Sequence, residues 1–284
     1  MKRSTRRVIF LIGVAIFFCA SYAVLLYAQG YTYDFSNNRF SLTGTLYVRA
    51  NTNARVYLND ELKGTTSFIG NSFNISGLEP GSYTIRLEQE NHSVWQKQAI
   101  VEDGMLTEFS RIMILPTSGD GKEEILTEIS EILYPSPSFS PSPSISPSRT
   151  VSPKPRASLS PSPSVSISPE LLPPFFVENG KLFQRNGENL LQLSDKAEGF
   201  VLSKNKRKLL WWNSNEIWVM YLEATTYQPY RQTLDRVMVS KIQSPIKKGS
   251  WFRDNDHVLI ETNTKYVVIE IDTRGDINTI EFNK

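Results

Sequence analysis

Reactive side chains are few in this chain and widely separated. Only two histidines, His92 and His257, and one cysteine, Cys19, occur among 284 residues. A histidine metal site or a Ser-His-Asp triad would need His92 and His257 to converge from distant segments. Cys19 lies inside an apolar run, so neither a disulfide framework nor a thiolate metal site can be built. No H-E-x-x-H, G-x-S-x-G or glycine-rich phosphate loop occurs. Asp254 and Asp256 flank Asn255 and could hold calcium if Asp276 or a carbonyl approached; the competing reading is a charged hairpin tip. Glycoside hydrolysis needs two carboxylates facing each other across a cleft, and 29 scattered acidic residues select no pair. No catalytic residue, metal ligand or cofactor is therefore assigned. What remains is aromatic. Trp211, Trp212, Trp218 and Trp251 either pack between sheets or form a stacking platform for a ligand such as a sugar.

Charge narrows the function classes. The net charge is only +2, and no basic stripe is interleaved with aromatics, so nucleic acid is excluded as a partner. The N-terminus carries the strongest physical signal. Lys2, Arg3, Arg6 and Arg7 precede the uncharged run Val8 to Ala28. As a helix that run is about 30 Å long, the thickness of a bilayer core. Positive charge on the short side predicts a cytoplasmic tail over 1–7, a membrane-spanning helix over 8–29 and an extracytoplasmic remainder. The predicted location is thus the cell membrane, single-pass, with lipid as a partner. Three alternatives compete. A cleaved signal peptide would have a shorter apolar region, and Leu26 spoils its cleavage pattern. A lipoprotein signal would place Cys19 at the end of the run and a small residue at Phe18. A buried globular helix would show a polar face, and none exists.

Residues 135–174 hold twelve of the sixteen prolines, alternating with serine. Proline cannot donate to a ladder and disfavours helix before it, so a disordered, semi-rigid, polyproline-like linker is predicted, with a reach of about 120 Å at most. It reads as a stalk that sets two modules apart; a ligand for a proline-recognising groove is the alternative. Just before it, over 120–134, Ile125, Leu126, Ile129, Ile132 and Leu133 recur at helical spacing opposite glutamates. A short amphipathic helix packing on a neighbouring module is expected, with self-association or a membrane-surface contact as the alternatives.

The fold class is mainly β. Over 44–116, short alternating runs are separated by Asn59-Asp60, Pro80-Gly81 and Asp103-Gly104, the pattern of a small β-sandwich. Strands are expected at 45–50, 55–58, 72–75, 82–89, 94–101 and 107–115. In the fourth, Tyr83, Ile85 and Leu87 share the core face. The stretch TLYVRANTNARVYLNDELKGTTSF, followed by GLEPGSYTIRLEQENHSVWQKQAIVEDG, resembles the PEGA domain, a small bacterial surface β-module. Ala54, Val56, Tyr57, Leu58, Asn59, Gly64, Thr65, Leu78, Pro80, Gly81, Tyr83 and Ile85 fit that family's pattern. The name-giving tetrapeptide is replaced by Asn51, Thr52, Asn53 and Ala54. The resemblance implies surface attachment or carbohydrate association and brings no catalytic residues.

Residues 175–284 form a second β module with an approximate repeat, one copy starting at Gly199 and the other at Gly249. Leu209-Leu210 aligns with Val258-Leu259, and Ile217-Trp218-Val219 with Tyr266-Val267-Val268. The period and the turn sequences resemble TolB-like and WD40-like propeller blades of four strands. Two blades leave faces uncovered, so an incomplete propeller is expected. The predicted function is a non-catalytic, membrane-anchored binding or surface-display protein of the bacterial envelope, with an envelope glycan or surface protein as partner. The alternatives are a scaffold that oligomerises through open blade edges and an envelope hydrolase.

Overall fold

The computed structural model describes residues 3–34, 38–135 and 174–284. The proline- and serine-rich stretch read as a linker falls almost wholly outside the described residues. Helix α1 (Arg3–Ala28) buries no residue against the rest of the protein. Its length and apolar composition suffice to cross a membrane, which makes it either an anchor or an export signal. A hairpin follows that the sequence pattern did not reveal, β1 (Tyr31–Asp34) pairing with β2 (Arg39–Leu42).

The first module is a two-sheet sandwich. Strands β3 (Gly44–Ala50), β6 (Ser72–Leu78) and β9 (Leu106–Ile112) form one sheet in the order β6-β3-β9, with β3 and β9 parallel. Strands β4 (Arg55–Leu58), β5 (Glu61–Thr65), β7 (Gly81–Glu88) and β8 (Trp95–Val101) form the other in the order β5-β4-β7-β8. Alternation drives the packing: Leu46, Val48 and Ala50 from β3 meet Val56, Leu58, Ile85, Leu87 and Trp95 in a dry core. Asn59 and Asp60 both adopt positive φ between β4 and β5, the geometry of a tight two-residue hairpin. Strand β5 escaped the sequence reading because it is an exposed edge with no alternation to detect.

The module's last strand ends at Ile112, earlier than its hydrophobic run. Beyond it, Ile114 still points into the sandwich core while Met113 and Leu115 point into a different one. Asn51 holds this segment by giving Nδ2 to the Ile114 carbonyl (3.0 Å) and accepting the Ile114 N–H at Oδ1 (2.8 Å). The departure from the PEGA tetrapeptide thus has a local role at Asn51.

The second module is a stack. Strands β10 (Phe175–Glu178), β11 (Lys181–Asn186) and β12 (Asn189–Ser194) make a three-stranded sheet. Strands β13 (Gly199–Leu202), β14 (Lys208–Trp212), β15 (Glu216–Tyr221) and β16 (Arg236–Lys241) make a four-stranded meander. Strands β17 (Lys248–Trp251), β18 (His257–Glu261), β19 (Lys265–Glu270) and β20 (Thr279–Asn283) repeat that meander. The two repeats are therefore four-stranded sheets, as their spacing suggests. The expectation of two blades with bare faces needs correction. Leu182 and Leu193 of the three-stranded sheet cover Leu209, Trp211 and Met220 on one side. On the other, helix α2 (Gly119–Leu133) lays Ile125, Ile129 and Leu133 over Leu259, Val268, Ile280 and Phe282. The stack ends in a helix instead of closing into a ring.

The repeat glycines have a packing reason. A Cβ on Gly199 would fall 2.3 Å from the Trp212 ring, and one on Gly249 would fall 2.7 Å from it. Trp212 is a wedge between the two meanders, and only glycine leaves room for it on either side.

The two β modules are also in direct contact, which corrects the picture of modules held apart by a stalk. Helix α2 belongs to the core of the second module, and Arg253 grips Glu128 on it with a bidentate ion pair (Nη2 to Oε2, 2.7 Å). At the helix end, Lys248 Nζ donates to the Leu133 carbonyl, and Tyr134 Oη donates to Glu261 at 2.6 Å.

Candidate functional site

The seam between the modules gathers most of the buried charge in the described residues. Strand β8 supplies its first half. Its alternation puts Trp95, Lys97, Ala99 and Val101 on the buried face, and Lys97 is only 1% exposed. Trp95 packs edge-on to Phe109 and donates Nε1–H to Glu270 Oε2 at 3.1 Å. Lys97 Nζ donates to the Asp272 carbonyl at 2.5 Å and lies 3.4 Å from the Glu270 carboxylate and 3.8 Å from that of Asp272. Burial pushes the Glu270 carboxyl above the usual carboxylate range, against the pull of Lys97. Asp272 goes the other way: burial would raise it, but Arg274 and Lys97 hold it low. Arg274 forks onto Asp272 (2.6 Å), donates to the Glu108 carbonyl (2.7 Å) and to Gln228 Oε1 (2.8 Å), and covers the Phe109 ring. One guanidinium therefore ties β9 to the loop after β15 and the turn after β19.

The second half lies on the stack side. Lys208 sits in a strand whose five residues are all buried, and its ammonium contacts Asp256 Oδ1 (2.6 Å), the Asn255 carbonyl (2.7 Å) and Tyr227 Oη (2.9 Å). Burial lowers the Lys208 pKa, and Asp256 opposes the drop. Tyr227 donates to the same carboxylate oxygen at 2.7 Å; burial and that negative neighbour push its phenol far up. Burial also pushes the Tyr221 phenol up to about 12. The guanidinium of Arg111, on β9, lies over the Tyr227 ring 4.6 Å from its centre, with Nε 3.8 Å from Asp256.

Asp254 and Asp256 are spent on these contacts. Asp254 Oδ1 accepts the backbone N–H groups of Asp256 and His257, 2.8 Å each, and the carboxylate meets the His257 ring at 3.0 Å. Burial alone would lower His257, but the Asp254 carboxylate outweighs it and raises the pKa. Among the described residues, no group of three or more His, Cys, Asp and Glu side chains is placed to hold a metal ion.

Between the two halves lies a cavity of about 20 Å³, lined by Phe109, Tyr221, Tyr227, Glu270 and Asp272 among others, with space for about one water. It abuts an open groove of about 420 Å³ between β3, β9 and the loop after β15. Arg49, Asn51, Glu108, Ser110, Arg111 and Tyr227 face this groove. Its size suits a small ligand, and clefts between modules are frequent binding sites. Another open groove, of about 460 Å³, runs along the turns of the first two sheets of the stack past Asn213, Glu216 and Lys241.

The four tryptophans named from the sequence do not form one platform. Trp211, Trp212 and Trp251 are buried between sheets, so the ligand-stacking assignment fails for them. Trp218 is partly exposed, stacks on Trp211 at 5.9 Å and donates to Glu216 at 3.3 Å beside the 460 Å³ groove.

Comparison with known proteins adds one match. Residues 43–113 match the PEGA domain. The match covers the whole two-sheet sandwich, a quarter of the chain, and suggests an extracytoplasmic or surface protein. No curated protein matches the chain. The seam residues Lys97, Glu108 and Arg111 lie on the PEGA strands β8 and β9, while Lys208, Tyr227, Asp256, Glu270, Asp272 and Arg274 come from the stack. Sequence reading singled out Asp256, as a calcium ligand or hairpin-tip residue, and passed over the rest. One signal was available: in W-Q-K-Q-A-I-V, Lys97 keeps step with Trp95, Ala99 and Val101, and a lysine on a core face needs a buried acidic partner.

Proposed function

We propose that this is a non-catalytic, membrane-anchored extracytoplasmic binding protein of the bacterial envelope, whose ligand seat is the seam groove between the PEGA domain and the sheet stack. The observation that carries the reading is Arg111: half exposed on the groove floor, it is held over Tyr227 and near Asp256, so a ligand meets a positioned cation beside an aromatic ring. Asn51 and Ser110 add hydrogen-bonding groups, a set suited to a hydroxyl-rich envelope glycan. The seam carboxylates argue for binding over hydrolysis, because Asp256, Glu270 and Asp272 each already face a cation or a hydrogen-bond donor. The test is binding of envelope glycans to the full chain in detergent micelles, compared with Arg111→Ala. An affinity loss of about tenfold is expected for one desolvated charged contact. Equal binding by both proteins, or none by either, would refute the seat.

A second reading has its own support. Leu190 and Leu191 are exposed on β12, an edge strand that pairs only with β11 among the described residues, and such edges invite pairing with another copy. Light scattering separates it: Leu190→Lys should abolish any concentration-dependent dimer, and a strict monomer at high concentration removes this reading.

A further inference from the structure

The chain passes from α1 into the PEGA domain without a free spacer. The Gly30 carbonyl, two residues past the helix, accepts both the N–H of Thr43 (2.9 Å) and its hydroxyl (2.8 Å). Residues 31–34 and 39–42 between them pair as the β1–β2 hairpin, in which Tyr31 pairs with Leu42. Leu42 then lies against the turn joining β8 to β9, since a Cβ on Gly104 would fall 2.4 Å from its Cδ2. Thr45 continues the contact, donating its N–H to the Met105 carbonyl at 2.9 Å. The helix end, the hairpin and the 102–106 turn thus share one end of the sandwich.

That end is apolar on the outside. Tyr27, Phe40, Ile100, Met105 and Leu106 are all exposed, and the Tyr33 ring meets Phe40 edge-on at 5.1 Å. Glu102 and Asp103 in the turn and Arg39 on the hairpin supply charge at the same end. We propose that this end is seated in the headgroup layer of the outer leaflet, so that the hairpin and the 102–106 turn form a second membrane contact beside α1. The proposal rests on the reading of α1 as a retained anchor. Chain continuity selects the lipid surface over a protein partner. The headgroup layer is about 5 to 8 Å deep on each side of the core, and Thr43 is one hydrogen bond from a residue just outside the apolar helix. Tyrosine suits that layer, having an apolar ring and a polar tip. The two acidic residues of the turn keep it out of the hydrocarbon and favour a zwitterionic leaflet over an anionic one.

The opposite end supplies the control. Register places Leu78 beside Gly44 and Ser72 beside Arg49, so the loop before β6, with Phe68 at 96% exposure, lies one strand length away, about 20 Å. The experiment uses the full chain in zwitterionic nanodiscs, with Cys19→Ser removing the native thiol. A fluorophore is attached at Tyr27→Cys, Met105→Cys, Ile100→Cys or Phe68→Cys, and quenching by lipids carrying a headgroup nitroxide is read. Quenching at Met105→Cys and Ile100→Cys comparable with that at Tyr27→Cys, and absent at Phe68→Cys, is expected. Quenching at Tyr27→Cys alone overturns the seating while sparing the anchor. No quenching at Tyr27→Cys removes the anchor and the seating with it. Equal quenching at Phe68→Cys means the domain lies on its side, which also refutes the proposal.

Discussion

Replacing Lys97 with methionine tests whether the seam is a true joint. The ammonium contacts the Asp272 carbonyl at 2.5 Å and two carboxylates at 3.4 and 3.8 Å. Methionine keeps the stem packing and removes only the charge. Asp272 retains Arg274 at 2.6 Å, so the group that loses its ammonium is Glu270, which keeps hydrogen bonds from Trp95 and Asn278. Breaking a buried pair from one side costs about 3 to 5 kcal/mol, and those two surviving donors place Lys97→Met near the lower end. Glu270 then sets the pH dependence. Its folded pKa already lies above the ordinary value and rises further without Lys97, so the folded state binds the proton more tightly than the unfolded chain. The deficit should therefore shrink as pH falls from about 7 toward about 5. The double variant Lys97→Met/Glu270→Gln should recover most of the loss at neutral pH. Urea unfolding of the full chain in detergent provides the assay, because Trp95 is the one tryptophan outside the stack and reports on the seam directly. A loss below about 1 kcal/mol, typical of an exposed pair, with no recovery in the double variant, would refute the joint.

Gly249→Ala should cost about 1 to 3 kcal/mol by driving a methyl into the Trp212 ring, read as a lower urea midpoint; an unchanged midpoint would mean that the ring has room to move. Ile129→Ala, at a position with no exposure on α2, should cost about 2 to 5 kcal/mol and uncover the last sheet, measured by denaturation and dye binding. His257 has a raised pKa despite its burial, so its stabilising contribution is complete below the unfolded value of 6.5 and is lost as pH rises through the folded value. Asp254 mirrors it: burial opposes the shift, but the ring and two backbone N–H groups hold its pKa low, giving stability above 3.8 that is lost as pH falls through the folded value. His257→Gln should therefore flatten the fall in Tm as pH rises above 6.5; an unaltered slope would place that titration elsewhere.

Local pattern carried much of the fold. The uncharged run of α1, the alternation in β3, β7 and β8, the turn chemistry of Asn59-Asp60 and the apolar stripe of α2 are properties of neighbouring residues, readable without knowing what they touch. Both repeat copies were found because their glycines and buried strands recur at a fixed spacing. Strand β5 and the β1–β2 hairpin left no such trace, since exposed strands carry no alternating signal. Residues 175–194 were seen as β-like without a hint that they would cover the first meander.

By itself the sequence determined the apolar N-terminal helix, the PEGA-type sandwich, the two four-stranded repeats and the scarcity of reactive side chains. Tertiary structure alone decided that the two modules meet, that α2 caps the stack, that Trp212 is a wedge instead of a platform, and that Lys97, Arg111 and Arg274 face acidic partners. The physical reason is distance along the chain. Periodicity marks which face of an element is buried, whereas the partner of a buried charge such as Lys97 lies 175 residues away and leaves no mark on its neighbours.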